Sequence, residues 1–266
     1  MPIESSGLPA TTSFLDLEFS GLSFDEATRE ISRRAARSAF SYVVTPNVDH
    51  IVKLHDQPES PATLAFQAAY AEAALRLCDS RILATLAMIF GVRLAVVTGS
   101  DLTASLFDQG IAAGDRVAVI GGNKDMVERL KARFPGPDIV QHIPPMGMLS
   151  DPVAMDLAEE FVCACKANFV LFATGAPQSE ILAHRCALRG QASGVGLCIG
   201  ASIDFLLGDQ RRAPLWMQRA GMEWAHRLAS HPKRLWRRYM IEGPKVFLIA
   251  AKWWWANRHD LSKLSG

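Results

Sequence analysis

From residue 41 to residue 199 the chain alternates short apolar runs with amphipathic stretches, and most of the apolar runs end in a polar or glycine-rich turn. Strand-like runs are predicted at 41–45, 94–98, 116–120, 168–173 and 196–199, with helical periodicity filling 61–76, 102–113, 124–134, 152–166 and 178–189. Ser23 followed by Glu26 spells a capping box for an earlier helix running through Ala36. Strands apolar on both faces and separated by helices point to a Rossmann-like α/β fold, a mostly parallel sheet with helices on both faces. After Gly208 the alternation stops. Residues 1–208 are therefore expected to form the sheet domain and 209–266 a basic, Trp-rich helical C-terminal appendage.

Sheets of this kind bind ligands beyond the carboxyl ends of their strands, so the strand-end turns are the first places to look for a site. They read Thr45-Pro46-Asn47, Gly99-Ser100-Asp101, Gly121-Gly122-Asn123 and Gly175-Ala176-Pro177. Any one of them is ordinary turn chemistry, and their clustering on one edge is what marks a candidate site. Asp79 closes the apolar run Leu77-Cys78. Spacing alone favours it as the N-cap of a helix through Phe90, and the sharper alternative is a general base in a partly desolvated cleft. Asp101 carries the same ambiguity. Thr45 and Asn47 can bind a ligand hydroxyl or only organise their turn.

Several chemistries lack their signatures. No G-x-G-x-x-G follows the first strand, Val119-Ile120-Gly121-Gly122-Asn123 being a partial echo, and no P-loop occurs. His184 and Cys186 stand two apart on a predicted helix and point to different faces, so metal catalysis is not expected. The cysteines, Cys78, Cys163, Cys165, Cys186 and Cys198, include no C-x-x-C pair and read as reduced core thiols of a cytosolic protein. With 28 Lys and Arg against 27 Asp and Glu, the chain lacks the broad basic face of a nucleic-acid binder.

Positive charge is instead concentrated late. Residues 211–239 place Arg211, Arg212, Arg219, Arg227, Lys233, Arg234, Arg237 and Arg238 around Trp216, Trp224 and Trp236. So many neighbouring cations want an anionic partner, a phosphate-bearing ligand or an anionic membrane. Arg212, Arg219 and Arg227 can chelate a diphosphate through bidentate hydrogen bonds. The later apolar runs are too short to span a bilayer, and Trp253-Trp254-Trp255 with Lys252 and Arg258 fits an interfacial helix. The N-terminus lacks the features of a secretion signal, so the expected location is cytoplasmic.

Taken together, Thr45-Pro46-Asn47-Val48-Asp49-His50, Gly99-Ser100-Asp101-Leu102, Gly121-Gly122, Gly175-Ala176-Pro177 and the tail RRAPLWMQRAGMEWAHRL…HPKRLWRRY resemble the WecG/TagA/CpsF glycosyltransferases. The resemblance runs from about Thr12 to Tyr239, and the tail is its most specific part. It implies an inverting, metal-independent transferase without cofactor. Such an enzyme carries a sugar from a UDP-sugar to a polyprenyl-diphosphate-linked sugar, peripherally bound at the inner face of the plasma membrane. N-acetylmannosamine is the donor sugar of the best-known members, and glucose or uronic acids that of exopolysaccharide relatives.

The resemblance also sets Asp79 in the slot of the family's base, which reverses the preference for a cap. It implies acceptor-side places for Thr45 and Asn47, and donor-side places for Gly99, Ser100, Asp101, Gly121, Gly122, Gly175, Pro177, Ser179, Glu180, Arg212, Arg219 and Arg227. The chain departs from the pattern at Gln178 and Ser179, where the family has lysine and glutamine. It departs again at Cys78 and Ser80, which flank the base, and at 96–98, which lack an arginine. A catalytically silent sugar-nucleotide-binding subunit and a nucleotide-dependent oxidoreductase stay open as alternatives, and so does a homo-oligomer.

Overall fold

The computed structural model describes residues 10–210, 213–214, 216–217 and 221–264, with the side chains of 234 and 259–264 outside that description. A hairpin, β1 (Thr11–Phe14) and β2 (Leu17–Ser20), is followed by α1 (Phe24–Ala35), β3 (Ser41–Val44), α2 (Val48–Leu54), α3 (Pro61–Ala71), β4 (Leu75–Arg76) and α4 (Arg81–Ile89). Next come α5 (Gly99–Ser105), which continues as a wider turn to Gly110, β5 (Arg116–Gly121), α6 (Met126–Arg133), β6 (Asp138–His142), α7 (Pro152–Cys165), β7 (Phe169–Ala173), α8 (Gln178–Arg189), β8 (Val195–Cys198) and α9 (Ser202–Leu207). The C-terminal helices are α10 (Glu223–Ser230), α11 (Pro232–Trp236), a π-type turn at Arg237–Glu242, and α12 (Lys245–Leu264).

Six strands form a parallel sheet in the order β4-β3-β8-β7-β5-β6. The α/β fold read from the alternation is the one observed. Successive strand residues serve opposite faces, as the pleat requires. Val117 and Val119 join a core with Ile31, Leu102, Leu130 and Ile203, whereas Ala118 and Ile120 join the opposite core with Ile51, Phe66, Leu182 and Val246. That second core also takes in Ala250 and Trp253, so α12 is packed onto the body of the protein.

Several elements differ from the sequence reading. The helix expected at 61–76 stops at Ala71, because Leu75–Arg76 pairs with β3 as the edge strand β4. The strand expected at 94–98 is reduced to one parallel bridge between Cys78 and Val96, since the chain beside β4 is too short to sustain a ladder. The strand β6 and the N-terminal hairpin were not anticipated; β6 carries Asp138, Gln141 and His142 and lacks a continuous apolar run. The Ser23–Glu26 capping box forms as read.

Candidate active site

Strand β3 ends at Val44, and the backbone runs on through Thr45 and Pro46 to Asn47, whose side chain caps α2 by accepting from the amides of Asp49 and His50 at 3.0 and 3.4 Å. Beyond the edge strand β4 the chain stays alongside this segment. The Leu77 amide donates to the Val44 carbonyl at 3.0 Å and the Asp79 amide to the Pro46 carbonyl at 2.9 Å. Backbone pairing thus fixes Asp79 at the sheet edge, next to Asn47.

The cap of α4 is Ser80, which accepts from Leu83 at 3.1 Å, so the capping role first preferred for Asp79 is filled by its neighbour. Asp79 Oδ1 instead accepts the Gly99 amide at 3.1 Å, at the start of α5. A Cβ on Gly99 would lie 3.3 Å from Ser202 Oγ, so glycine permits the close packing that brings this amide within reach. Asp101 is likewise not the cap of α5. Thr98 caps it, accepting the Asp101 amide at 3.2 Å while donating its hydroxyl to Asp101 Oδ2 at 2.6 Å.

Asp79 lines a cavity of about 500 Å³ between the sheet edge and the C-terminal helices. The sheet side contributes Asn47, Val48, Asp49, Ser80, Arg81, Ile82, Thr98, Ser100 and Asp101. From the C-terminal side come Glu223, Trp224, Arg227, Arg238, Tyr239, Met240, Pro244, Val246 and Phe247. Packing by surrounding protein pushes the Asp79 carboxyl up to about 7. The Gly99 amide and Arg227 pull it back, and Glu223 and Asp101 add to the rise. A carboxyl poised near neutrality is suited to accept a proton and release it again. Arg227 is itself held over the Phe205 ring, 4.8 Å from its centroid.

Of the residues singled out from sequence, Asn47, Asp79, Ser100, Asp101 and Arg227 meet at this cavity. Thr45 lies beneath it, buried, its hydroxyl donating to the Cys198 carbonyl at 2.9 Å. Gly121, Gly122, Gly175, Pro177, Ser179 and Glu180 lie at or after the ends of β5 and β7, nearer the other side of the sheet, and do not line the cavity. Gly121, at φ 98°, makes a turn in which a Cβ would sit 3.0 Å from the Ala173 backbone, a sufficient reason for glycine. Ser179 is buried, with its hydroxyl 2.9 Å from Thr174 Oγ1. Glu180 is buried with Oε2 unpaired, and burial raises it to about 7. Arg212 and Arg219 lie outside the described residues.

Sequence reasoning passed over Asp49, Arg81, Glu223, Trp224 and Arg238 as members of this wall. Asp49 is an ordinary acid for a first helical turn, and Arg238 was one cation among many. The indole cluster also divides. Trp253 is buried edge-on against Phe14, centroids 5.1 Å apart, whereas Trp255 is exposed. Trp253 is thus an anchor of the fold. Among the described residues no helix is long and apolar enough to cross a membrane, and no group of three or more His, Cys, Asp or Glu side chains is arranged to hold a metal ion. The cysteines are free thiols; burial pushes Cys78 up to about 12, which makes it unreactive.

A curated protein of Bacillus spizizenii, named N-acetylglucosaminyldiphosphoundecaprenol N-acetyl-beta-D-mannosaminyltransferase, is 34% identical over 163 residues, 59% of this chain and 59% of that protein. The matched region therefore spans about three fifths of the relative's length. The sequence profile described as the glycosyl transferase WecG/TagA/CpsF family matches residues 12–260, which takes in the sheet edge, Asp79 and the C-terminal wall of the cavity alike. A match over so much of the chain establishes that it belongs to the WecG/TagA/CpsF glycosyl transferase family.

Proposed function

We propose that the protein is an inverting glycosyltransferase that moves a sugar from a UDP-sugar onto a sugar carried by a polyprenyl diphosphate. One observation carries the reading: a carboxyl raised to about 7 lies in the wall of a cavity whose other wall holds Arg227, Arg238 and the rings of Trp224, Tyr239 and Phe247. The acceptor hydroxyl, taken as the one at C4, gives its proton to Asp79. Its oxygen bonds to the anomeric carbon from the face opposite UDP, the bond from that carbon to the diphosphate breaks, and UDP leaves with the electron pair. A β-1,4 linkage results.

Charge developing on the leaving diphosphate is offset by cavity arginines in this reading, with Arg227 and Arg238 as the described candidates. Fixed donors in a site screened from water stabilise such charge by several kcal/mol. Arg212 and Arg219 keep their proposed donor role. Asn47 serves the acceptor, and Thr45 supports its turn from below. Ser100 and Asp101 serve the donor. The remaining turn residues, Gly121, Gly122, Gly175, Pro177, Ser179 and Glu180, are assigned to shaping the neighbouring strand ends.

The acceptor's lipid part has a match in the wall's chemistry. Met240, Pro244, Val246 and Phe247 make one side of the cavity apolar, and Met240 and Phe247 reach the outer surface beside exposed Ile241 and Leu248. A prenyl chain leaving along that side would meet the membrane there, with Trp255 and Arg258 at the headgroup boundary. This supports peripheral attachment to the inner face of the plasma membrane. The division near residue 209 is kept as a proposal; Arg129 pins the chain there by donating to Asp209 Oδ2 at 2.7 Å and to the Leu207 carbonyl at 2.9 Å.

N-acetylmannosamine is the first donor sugar to try, given the Bacillus relative's name, with glucose and glucuronate next. The test is UDP release by the purified full chain from a panel of UDP-sugars, with a short-chain prenyl-diphosphate-linked N-acetylglucosamine as acceptor. Acceptor-dependent release from one UDP-sugar, unchanged by EDTA, is the expected result. UDP binding without turnover of any pair would reduce the protein to a sugar-nucleotide-binding subunit.

A further inference from the structure

An acid two residues past the Asn47 cap needs no special reason, because negative charge favours a helix N-terminus. The surroundings of Asp49 go further than that. Its carboxylate is only 10% exposed and accepts from Lys53 Nζ at 2.9 Å. The same ammonium donates to the Ala176 carbonyl at 3.0 Å, in the Gly175-Ala176-Pro177 turn after β7. Asp49 Oδ2 also faces Arg238 Nη2 at 3.5 Å, across the boundary between α2 and the π-type turn of the C-terminal helices. Burial works to raise the Asp49 carboxyl, but Arg238 and Lys53 outweigh it and hold it below the usual carboxylate range.

Two features of Arg238 separate this pair from an ordinary ion pair. A separation of 3.5 Å is longer than the ~2.7–2.9 Å of a tight charge-assisted contact, so the guanidinium is held in place without being saturated. Its Nε is buried with no hydrogen-bond partner, a condition that native proteins rarely tolerate without a ligand or water to relieve it. Both residues line the cavity. A diphosphate oxygen entering there would supply the missing acceptor.

We infer that Asp49 is a positioning residue, one that holds Arg238 at the cavity wall for an incoming diphosphate while Lys53 keeps the Asp49 carboxylate ionised and in register. The inference rests on the proposed reading of the cavity as a diphosphate site. It also gives the turn after β7 a part at one remove, since the Ala176 carbonyl sets Lys53, Lys53 sets Asp49, and Asp49 sets Arg238.

Calorimetric titration of the full chain with inorganic pyrophosphate, and in parallel with UDP, tests it. Asp49→Asn and Arg238→Ala should each weaken pyrophosphate by about tenfold, the scale of one lost hydrogen bond to a charged group. The double variant should bind no more than about threefold worse than either single one, because both changes remove the same contact. Asp49→Glu, which keeps the charge, should stay within about threefold of the wild type. The inference is overturned if the wild type binds no pyrophosphate, or if Asp49→Asn binds it as the wild type does. Equal loss in Asp49→Glu and Asp49→Asn with a lowered Tm would also overturn it, because that pattern marks a purely structural acid. Pyrophosphate binding that follows this pattern while UDP fails to bind would sink the nucleotide reading and leave the positioning role standing.

Discussion

The two walls of the cavity are built to different standards. On the sheet side, Val117, Val119, Val170, Phe172, Val195 and Leu197 are sealed between helices. On the C-terminal side, α10 buries none of its residues, and Trp236, Met240, Ile241, Phe247, Leu248 and Trp255 are exposed. The helix α12 is anchored by Val246, Ala250 and Trp253, one stripe at helical spacing. The contrast teaches a division of labour. A rigid wall places Asp79, the proposed base, while a lightly attached wall brings the cations and the apolar lip.

The strongest way to break this division is at the rigid wall. Asp79→Asn should leave UDP binding near that of the wild type while turnover falls by ~10²–10⁴, the loss expected for a general base, as measured by steady-state UDP release. Near-normal turnover would remove Asp79 from the role. Arg227→Ala cuts the other wall, and kcat should fall by ~10²–10³ while the melting temperature of the body barely moves. A kcat within a few-fold of the wild type would transfer the phosphate-facing role to the other arginines.

The anchoring stripe gives the next test. Trp253→Ala removes a buried ring, a change of about 3–5 kcal/mol, and should speed amide exchange throughout α12 while leaving β5, β7 and β8 protected. Trp255→Ala should leave all protection unchanged and lower only the pelleting with anionic vesicles. If both variants loosened the strands alike, the two walls would be one cooperative unit.

Titration supplies the mildest probes. As a base raised to about 7, Asp79 should make kcat/KM climb with pH and level off above that value. For stability the sign is opposite. A carboxyl raised from its unfolded value of about 3.9 contributes stability that is complete below that pH and is lost as pH rises through its folded value. Asp79→Asn and Glu180→Gln should therefore each raise Tm at pH 8 by a few degrees and change little at pH 4. The gain should appear with Asp79→Asn at the cavity and with Glu180→Gln inside the body.

How much of this was legible in the sequence follows from the range of the interactions involved. Strand and helix alternation is local, so the sheet was readable, and the Ser23–Glu26 box formed as spelled. The two-residue strand β4 was hidden because Leu75–Arg76 continues a helical pattern and becomes strand only by pairing with β3. Clustering of strand-end turns points to the edge of the sheet where the cavity lies, but it cannot say which strands the cavity sits over. Gly121 and Gly175 share the motif appearance of Gly99 and belong to strands farther along the sheet. Asp49 and Arg238 lie far apart in sequence, and nothing near either residue announces the other. Trp253, Trp254 and Trp255 look alike in a row, and helical geometry alone turns the first inward.

The contact between Phe14 and Trp253 joins the hairpin to a helix that follows the whole sheet in the chain. During synthesis the sheet can assemble well before α12 leaves the ribosome, but its anchor cannot seat until Trp253 has emerged. A nascent chain would then hold Asp79 without the second half of its cavity. The order of translation would itself withhold the complete cavity until α12 has emerged.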